Sequence, residues 1–467
     1  MMILFVAEGF YDVAVAGGGV VGLMTAYRLA HYDLKVVVFE ANPEPGWGVS
    51  KAHAAVVHVV QMPFSSVKSR MAREGNRKIE EVCRSLGVRL QRTSSLVVAT
   101  KLHHFLALPF VALYLRLNLG KDFPVKLRGR GWLRREEPAL TKKALGAVEV
   151  EGYGLVDNFD LLYGLYEFAR LNGVEFRFSE RVTGVEAQGD YVVVTTSSGV
   201  YKARFFVNAA GLWADEIAKK TGDDIEFELG KGVLLVFDKK ATKRFVAPMY
   251  LKPDPKTKGG AIMFTVDGHG LWGPNLRPAR DKSDTSADEE DIEALLGKFS
   301  PLLEGDPGIP LKAYAGIRPI PPENDFRITY SRVSKRIVHL LGTESPGFTA
   351  SPVIAERAIT MLRDAGLELK PKKVAPRQPF PRLRDNPKSG KGRVICPCHL
   401  VTEEEVREAV RRGSRTLQGV MFRTGVGMGV CQGSRCLAEV LRIMADEMGV
   451  PVEQITLRGE GTWLVRK

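Results

Sequence analysis

The stretch Asp12-Val13-Ala14-Val15-Ala16-Gly17-Gly18-Gly19-Val20-Val21-Gly22 decides the fold. Its first five residues, apolar from Val13 to Ala16, predict a buried strand, and the apolar segment that follows the glycines, to about Ala30, is typical of a helix. Lys35 to Glu40 is a second, Val-rich strand. This order of strand, glycine-rich turn, helix and strand predicts a βαβ unit that opens a doubly wound α/β sheet.

The spacing Gly17-x-Gly19-x-x-Gly22 predicts a dinucleotide-binding turn. The first glycine permits the tight turn, the second lets the backbone approach a pyrophosphate, and the third permits close packing of helix on strand. Glu40 ends the second strand, where an acidic side chain binds ribose hydroxyls. A glycine-rich turn of another α/β protein is the alternative, and the fingerprint does not distinguish NAD from FAD.

The size and charge of the chain limit its class. Its 467 residues are too many for one core, so two or three domains are expected. The net charge of +13 fits anionic ligands or an anionic membrane face, or simply a basic surface. No nucleic-acid-binding motif occurs in the sequence. Without a convincing secretory signal, we expect a cytoplasmic protein, with peripheral contact at the inner face of the cell membrane as a further expectation.

Four of the five cysteines lie near the C-terminus, in the pairs Cys396/Cys398 and Cys431/Cys436. Two pairs of thiolates suit either a [2Fe-2S] cluster or a structural zinc ion. Zinc knuckles prefer gaps of two residues, whereas the gaps here are one and four. Crowded cysteines of this kind indicate metal binding rather than disulfides.

Residues 11–365 resemble the D-amino-acid-oxidase-like flavoproteins. Val207-Asn208-Ala209-Ala210-Gly211-Leu212-Trp213-Ala214 is similar to their second flavin motif, and Leu340-Leu341-Gly342-Thr343-Glu344-Ser345-Pro346-Gly347-Phe348-Thr349-Ala350 to their third. The resemblance implies FAD as the cofactor. It also implies a cofactor-binding set beyond Gly17, Gly19, Gly22 and Glu40, which comprises Ala210, Gly211, Gly342, Gly347, Phe348 and Thr349. Thr349 is expected to begin a helix whose positive end faces the flavin.

The run Arg423-x-Gly425-x-Gly427-Met428-Gly429-x-Cys431-Gln432-Gly433-x-x-Cys436 resembles the bacterioferritin-associated-ferredoxin-like [2Fe-2S] domain. This resemblance implies that Cys396, Cys398, Cys431 and Cys436 hold a [2Fe-2S] cluster. The glycines are expected to free backbone N–H groups that bond to sulfur.

Both halves together resemble the catalytic subunit of anaerobic glycerol-3-phosphate dehydrogenase, through Val57-His58, Glu74-Gly75-Asn76 and Gly154-Leu155-Val156-Asp157. The resemblance implies oxidation of a small anionic substrate, sn-glycerol 3-phosphate, to dihydroxyacetone phosphate. Electrons would then pass through the cluster to a partner subunit or a quinone-linked carrier. An L-2-hydroxyacid or proline/amine-type FAD dehydrogenase remains an alternative, as does a non-catalytic electron-transfer subunit.

The catalytic candidates are His53, His58, Arg318 and Thr349. Arg318 is expected to bind the substrate's anionic group, because a guanidinium fork suits phosphate or carboxylate. Thr349 is expected to add a hydrogen bond to the substrate. His53 replaces an asparagine common in relatives; His53 and His58 are the candidate bases, and His269 is the third.

The predicted architecture has three parts. A discontinuous, Rossmann-like FAD-binding domain spans 1–95, 151–230 and 316–369, and an antiparallel-sheet substrate domain spans 96–150 and 231–315. A Pro- and Lys-rich linker at 370–391 then leads to a small helical [2Fe-2S]-binding domain at 392–450 and a C-terminal tail at 451–467.

The segment from Leu106 to Leu119 is apolar on nearly every face. It is shorter than a membrane-spanning helix requires, and Pro109 would kink or start a helix here. Two interpretations stay open. The segment is either part of the substrate-domain core or a docking surface for a partner subunit or a membrane.

Overall fold

The computed structural model describes residues 6–251, 259–383 and 392–465. The strands, labelled in chain order, are β1 (Val6–Ala16), β2 (Val36–Phe39), β3 (Val56–Val57), β4 (Leu90–Ala99), β5 (Val125–Gly129), β6 (Gly146–Val156), β7 (Glu175–Arg177), β8 (Val182–Gln188), β9 (Tyr191–Thr196), β10 (Val200–Asn208), β11 (Glu228–Phe237), β12 (Phe245–Pro248), β13 (Ala261–Phe264), β14 (Gly270–Gly273), β15 (Arg277–Pro278), β16 (Lys312–Ile320), β17 (Arg327–Tyr330), β18 (Ile337–Leu341), β19 (Val394–Cys396) and β20 (Val401–Thr402). The helices are α1 (Val20–Leu29), α2 (Val67–Ser85), α3 (Leu102–Leu119), α4 (Arg130–Glu136), α5 (Asn158–Leu171), α6 (Ala214–Lys220), α7 (Glu289–Phe299), α8 (Gly347–Asp364), α9 (Glu403–Arg411), α10 (Leu417–Thr424) and α11 (Leu437–Met448).

The first sheet carries the predicted βαβ unit. Its strand order is β17-β18-β10-β1-β2-β7, and the hairpin β8-β9 joins it through β9. The strands from β18 to β7 in this order run parallel. Val13 and Val15 of β1 pack in the core that contains α1, α5 and α8, while Ala14 and Ala16 pack towards the β8-β9 hairpin. The central strand is therefore buried on both faces, as its continuous apolar run predicted.

The second sheet confirms the predicted antiparallel domain. Its order is β15-β11-β14-β13-β12-β4-β6-β3, with β16 paired to β11 and β5 paired to β6. All of its pairs are antiparallel except β12 with β4. Trp272 and Phe299 are fully buried where α7 covers this sheet.

The strands of the second sheet extend beyond the ranges predicted for the substrate domain. β4 begins before residue 96, β6 continues past residue 150, and β16 crosses the predicted boundary between 315 and 316. β3 also belongs to this sheet. The difference arises because these strands run on without a turn at the predicted boundaries.

The C-terminal module packs α9, α10 and α11 around a core of its own. Thr402 and Glu405 form the predicted capping box at the start of α9. The predicted tail belongs to this module, since Ile455 is fully buried in its core. The first part of the predicted linker is also packed, because Arg382 donates to the Leu86 carbonyl; residues 384–391 lie outside the described structure.

Helix α3 is only partly buried in the substrate domain, so the interpretation that its segment belongs to the core holds for one edge and not for the rest. One edge, formed by Leu108, Ala112, Leu115 and Leu119, is buried against the second sheet. The opposite face is exposed and apolar. By length and composition α3 is long enough to cross a membrane, but its buried edge and its neighbours β4 and β5, both paired with β6, hold it against its own domain.

A buried ion pair joins the C-terminal module to the nucleotide-binding domain. Arg423 of α10 donates to the Glu167 carboxylate of α5, and both side chains are almost fully buried. The guanidinium lies 4.0 Å from the centre of the Tyr163 ring. Glu44 adds a second link by accepting from the Arg415 N–H and the Thr416 hydroxyl.

Arg423→Met is expected to lower the free energy of unfolding by about 3–5 kcal/mol, because it leaves the Glu167 carboxylate buried without its partner. Denaturant unfolding followed by Trp fluorescence measures the change. The control is Arg442→Met, which removes an exposed pair with Glu439 on the same module and should cost under about 1 kcal/mol. Equal losses for the two variants would contradict the role given to Arg423.

Candidate active site and cluster site

A cleft of about 930 Å³ lies between the two sheets and reaches the C-terminal module. The glycine turn, the segment around His53 and His58, and Arg318 of β16 contribute to its walls. A Cβ on Gly316 would lie 3.1 Å from the Ala52 Cβ, so β16 passes close beside the histidine segment. The cleft therefore brings the predicted nucleotide turn and the candidate catalytic side chains to one site.

The three glycines of the turn lie where a side chain would block a close contact with the backbone or with a ligand. Gly17 has φ +102°, and a Cβ there would lie 2.4 Å from the Ala209 carbonyl oxygen. A Cβ on Gly22 would lie 1.9 Å from the Gly17 oxygen. A Cβ on Gly19 would approach only the Ser50 Oγ, at 3.2 Å, and Gly19 faces the cleft. The turn therefore leaves space for a pyrophosphate at Gly19 and at the start of α1.

Glu40 lies at the end of β2 on the cleft wall. Its Oε2 accepts from the Gly18 N–H at 2.6 Å, and its Oε1 accepts from the Asn42 N–H at 2.8 Å. Burial raises the pKa of Glu40, and these N–H groups oppose the shift. Oε1 also accepts from the Asn42 Nδ2 at 2.6 Å, so Oε2 is the oxygen that retains acceptor capacity for a ribose hydroxyl. Ala210 and Gly211 also line the cleft.

His53 lines the cleft, with its ring centre 4.5 Å from that of Phe348. Its Nδ1 accepts from the Ala55 N–H at 2.8 Å, so Nε2 carries the proton of the neutral ring. Burial, aided by His58, lowers the pKa of His53 to about 3. His53 is therefore neutral near pH 7 and set up as a donor at Nε2 rather than as a base.

His58 also lines the cleft, and its backbone is held on both sides. Its N–H donates to the Thr349 Oγ1 at 3.0 Å, and its carbonyl accepts from the Asn76 Nδ2 at 2.9 Å. The ring Nδ1 lies 3.0 Å from the Val56 carbonyl and donates to it. This bond places the proton of the neutral ring on Nδ1 and the lone pair on Nε2, as a base requires.

Thr349 does not have the substrate-binding position that the sequence predicted. It is fully buried, and its hydroxyl donates to the Val56 carbonyl and accepts from the His58 N–H. It therefore positions His58. The helix of the third motif begins at Gly347 rather than at Thr349.

Only part of the third motif reaches the cleft in the described structure. Ser345, Pro346 and Phe348 line it, whereas Gly342 and Gly347 lie behind the wall. A Cβ on Gly342 would lie 2.0 Å from the Pro321 Cγ, so this glycine permits packing within the protein.

Arg318 projects from β16 into the cleft. Its nearest anion is Glu344, 3.6 Å from Nη1, which is beyond hydrogen-bond distance, and Nη1 is buried without a hydrogen-bond partner. The other Glu344 oxygen pairs with the buried Lys68 Nζ at 3.2 Å. Burial lowers the pKa of Arg318, and Glu344 opposes that shift. A buried, unsatisfied guanidinium N–H is suited to an anionic ligand.

A second group of cations lines the cleft. Lys51, Lys312 and Arg458 are its members, and Arg458 comes from the segment predicted to be a tail. Burial, together with repulsion from Arg458 and Lys312, lowers the pKa of Lys51 to about 8. The third candidate base, His269, lies on the wall beside His399, with ring centres 6.3 Å apart.

The C-terminal module forms part of the cleft wall. Phe422 of α10 stacks on Phe159 of α5, with ring centres 4.0 Å apart and planes 8° apart. His399, Met428 and Gln432 also face the cleft. The cysteine turns therefore lie next to the predicted flavin site, which the sequence alone did not predict.

The four cysteines form two pairs in space, and each pair combines one cysteine from 396/398 with one from 431/436. The Cys398 and Cys431 sulfurs lie 3.6 Å apart, and Cys436 interacts with Cys396. In the described residues no three or more His, Cys, Asp or Glu side chains surround one ion position. Two thiolate pairs fit a [2Fe-2S] rhomb, in which each iron takes two thiolates.

Backbone groups stabilise the sulfurs as the glycine-rich flank predicted. The Gly433 N–H, with smaller contributions from the Arg435 N–H and the Cys398 thiol, lowers the pKa of Cys431. A Cβ on Gly429 would lie 2.3 Å from the Cys398 Cβ, so only glycine permits this approach.

Residues 12–361 match the family model described as FAD dependent oxidoreductase. This chain belongs to that family. Residues 394–446 match the BFD-like [2Fe-2S] binding domain. This FAD-dependent oxidoreductase therefore has FAD and a [2Fe-2S] cluster as its cofactors, and the glycine turn and the cysteine pairs fit these groups.

Relatives of this oxidoreductase cover both halves of the chain. A glycerol 3-phosphate dehydrogenase of Caloramator mitchellensis is 27% identical over 97% of this chain and 98% of its own length. A subunit of the anaerobic glycerol-3-phosphate dehydrogenase of Escherichia coli is 25% identical over 91% of this chain and 86% of its own length. The dithionite-reduced, FAD-bound L-alpha-glycerophosphate oxidase of Mycoplasma pneumoniae has the same fold, with a TM-score of 0.73, 24% identity, and coverage of 79% of this chain and 97% of that one.

Sequence reasoning missed the side chains that position the site. Lys68, Asn76 and Glu344 lie in the cofactor-binding half and are buried although polar. Lys68 and Asn76 are two turns apart on α2, and their side chains face inward. Asn76 and Glu344 stand in motifs that carry the family resemblance, but those motifs gave them no role, and for Lys68 the signal was a polar residue on the buried face of α2.

Gly19→Val is expected to yield protein with little bound FAD, because the added side chain enters the space at the start of α1. Flavin released by heat denaturation, per mole of chain, measures the loss. Gly131→Val is the control, since a Cβ there meets nothing within 4 Å. Normal FAD content in the Gly19 variant would disprove the pyrophosphate position.

Cys398→Ser is expected to lower the iron and sulfide content and to remove the EPR signal of the dithionite-reduced protein. Cys83→Ala is the control, because Cys83 is buried in the first domain, where burial raises its pKa to about 12. Stoichiometric zinc without iron in anaerobically purified wild-type protein would contradict the cluster assignment.

Proposed function

We propose that this FAD-dependent oxidoreductase oxidises sn-glycerol 3-phosphate to dihydroxyacetone phosphate. The [2Fe-2S] cluster would then carry the electrons to a partner subunit or a quinone-linked acceptor. The observation that carries the proposal is the buried Arg318 Nη1, which faces the cleft without a hydrogen-bond partner. The names of the relatives that cover both domains support the choice of substrate.

Arg318 would bind the phosphate. Glu344 holds the guanidinium in place, but its own charge is shared with Lys68, so Arg318 keeps an unmatched positive charge. Lys51, Lys312 and Arg458 add positive potential to the same cleft, which favours entry of an anion.

His58 would take the proton of the substrate hydroxyl. Its lone pair lies on Nε2, and Thr349 and Asn76 fix its backbone, so little reorganisation is needed. His53 would donate from Nε2 to an oxygen of the substrate or cofactor. When bound, FAD supplies the hydride acceptor and the cluster supplies a one-electron carrier.

The geometry of the module supports electron transfer from the cleft to the cluster site. Cys396 and Cys436 are buried, whereas Cys398 is exposed and Cys431 is half-buried. His399 and Gln432, the sequence neighbours of Cys398 and Cys431, line the cleft, so the more exposed pair lies on the side of the cluster site that faces the predicted flavin position.

Anaerobic addition of sn-glycerol 3-phosphate is expected to bleach the flavin absorbance, and Arg318→Met should raise the KM by at least tenfold through loss of a charge-assisted bond. Stopped-flow absorbance measures both effects. Arg332→Met is the control, because Arg332 lies away from the cleft.

Proline and L-2-hydroxyglutarate are the competing substrates in this assay. If either one bleaches the flavin and glycerol 3-phosphate does not, the substrate proposal is wrong, while the family assignment stands. If none of the three does so, the catalytic role itself is contradicted.

A further inference from the structure

Helix α3 presents an apolar stripe to solvent. Leu106, Phe110, Leu113 and Leu117 follow the i, i+4, i+7, i+11 spacing of one helix face. Phe110 is 74% exposed and Leu117 is 76% exposed, and Leu102 and Tyr114 extend the exposed apolar surface. Monomeric proteins rarely expose a contiguous apolar patch of this kind unless it binds something.

The stripe does not belong to the chain's own core. Its opposite edge, with Leu108, Ala112 and Leu115, already packs on the second sheet. Both ends of α3 return to that sheet through β4 and β5. The axis of the helix therefore runs along the surface of the domain.

The chain on either side of α3 is rich in basic residues. Between residues 101 and 135 the basic residues are Lys101, Arg116, Lys121, Lys126, Arg128, Arg130, Arg134 and Arg135, and the only acidic residue is Asp122. Asp122 is paired with Arg77, and Lys126, Arg128 and Arg135 are paired with Glu151, Glu149 and Glu136. The positive charge beside α3 therefore comes mainly from the remaining cations of this list. Helix α3 itself contains no acidic residue.

We propose that α3 is an interfacial helix that inserts its apolar stripe into the surface of an anionic lipid bilayer. Leu and Phe side chains would enter the boundary between headgroups and acyl chains, and the surrounding Lys and Arg side chains would meet the lipid phosphates. Lysine is depleted at protein interfaces, so the lysines at both ends of the helix, Lys101 and Lys121, favour lipid over a protein partner.

The test uses the holoprotein and flotation with two kinds of vesicle, phosphatidylcholine alone and equal parts phosphatidylcholine and phosphatidylglycerol. Wild-type protein is expected to float with the anionic vesicles, and to do so less at high salt. The double variant Phe110→Ser/Leu113→Ser should bind at least about tenfold more weakly, since two large apolar side chains no longer enter the lipid. Lys101→Glu/Lys121→Glu should also weaken binding, but only to anionic vesicles.

The matched control is Ile309→Ser/Val374→Ser, which removes two apolar side chains of similar exposure, 89% and 78%, outside α3. It should bind as the wild type does. All variants should keep their FAD content and their activity with a soluble dye, which shows that they are folded.

Three results would overturn the proposal. The wild-type protein does not bind anionic vesicles, or the α3 variant binds as well as the control does. The third result is a dimer that the wild-type protein forms without lipid and the α3 variant does not form. In that case a second copy of the chain would cover the stripe.

Discussion

The ion pair between Arg423 and Glu167 holds together the C-terminal module and the nucleotide-binding domain, which are far apart along the chain. A buried charge is tolerated only beside its partner, so the C-terminal module has one position on α5 rather than a range of positions. The stacking of Phe422 on Phe159 follows from the same placement. Because of it, the cleft is closed partly by the module, and the cysteine pairs lie beside the flavin site.

The sequence predicted the parts of the fold that depend on local chemistry. The turn at Gly17 to Gly22 depends on glycines, which leave space for close backbone contacts. The capping box at Thr402 depends on a second residue three positions later. Both are local features of the sequence, and both are found as predicted. The cysteine pairs indicated a metal site by their crowding, and the resemblance of their glycine-rich flank to a [2Fe-2S] domain selected the cluster over zinc. Domain boundaries were less predictable, because β4 and β16 continue without a turn from one predicted domain into the other.

The site was predictable in its residue types but less so in its roles. Nothing in the sequence shows that Thr349 faces the His58 backbone, because the two are brought together only by the crossing of β3 and α8. The Nδ1 atom accepts a hydrogen bond from the Ala55 N–H in His53, but donates one to the Val56 carbonyl in His58. These two backbone hydrogen bonds give the two rings opposite roles. The burial of helix α3 could not be predicted from its sequence either, because its apolar composition suits a core helix as well as a helix on an interaction surface.

The crossing of α2 and α8 makes the position of His58 depend on one glycine. A Cβ on Gly75 would lie 2.1 Å from the Thr349 carbonyl, so the two helices are in backbone contact beside the groups that hold His58. A small separation of these helices would release His58 while the sheets remain intact, and a misplacement of about 1 Å is enough to slow catalysis severely. A side chain at position 75 would force such a separation, so a glycine that does not line the cleft helps to set the position of His58.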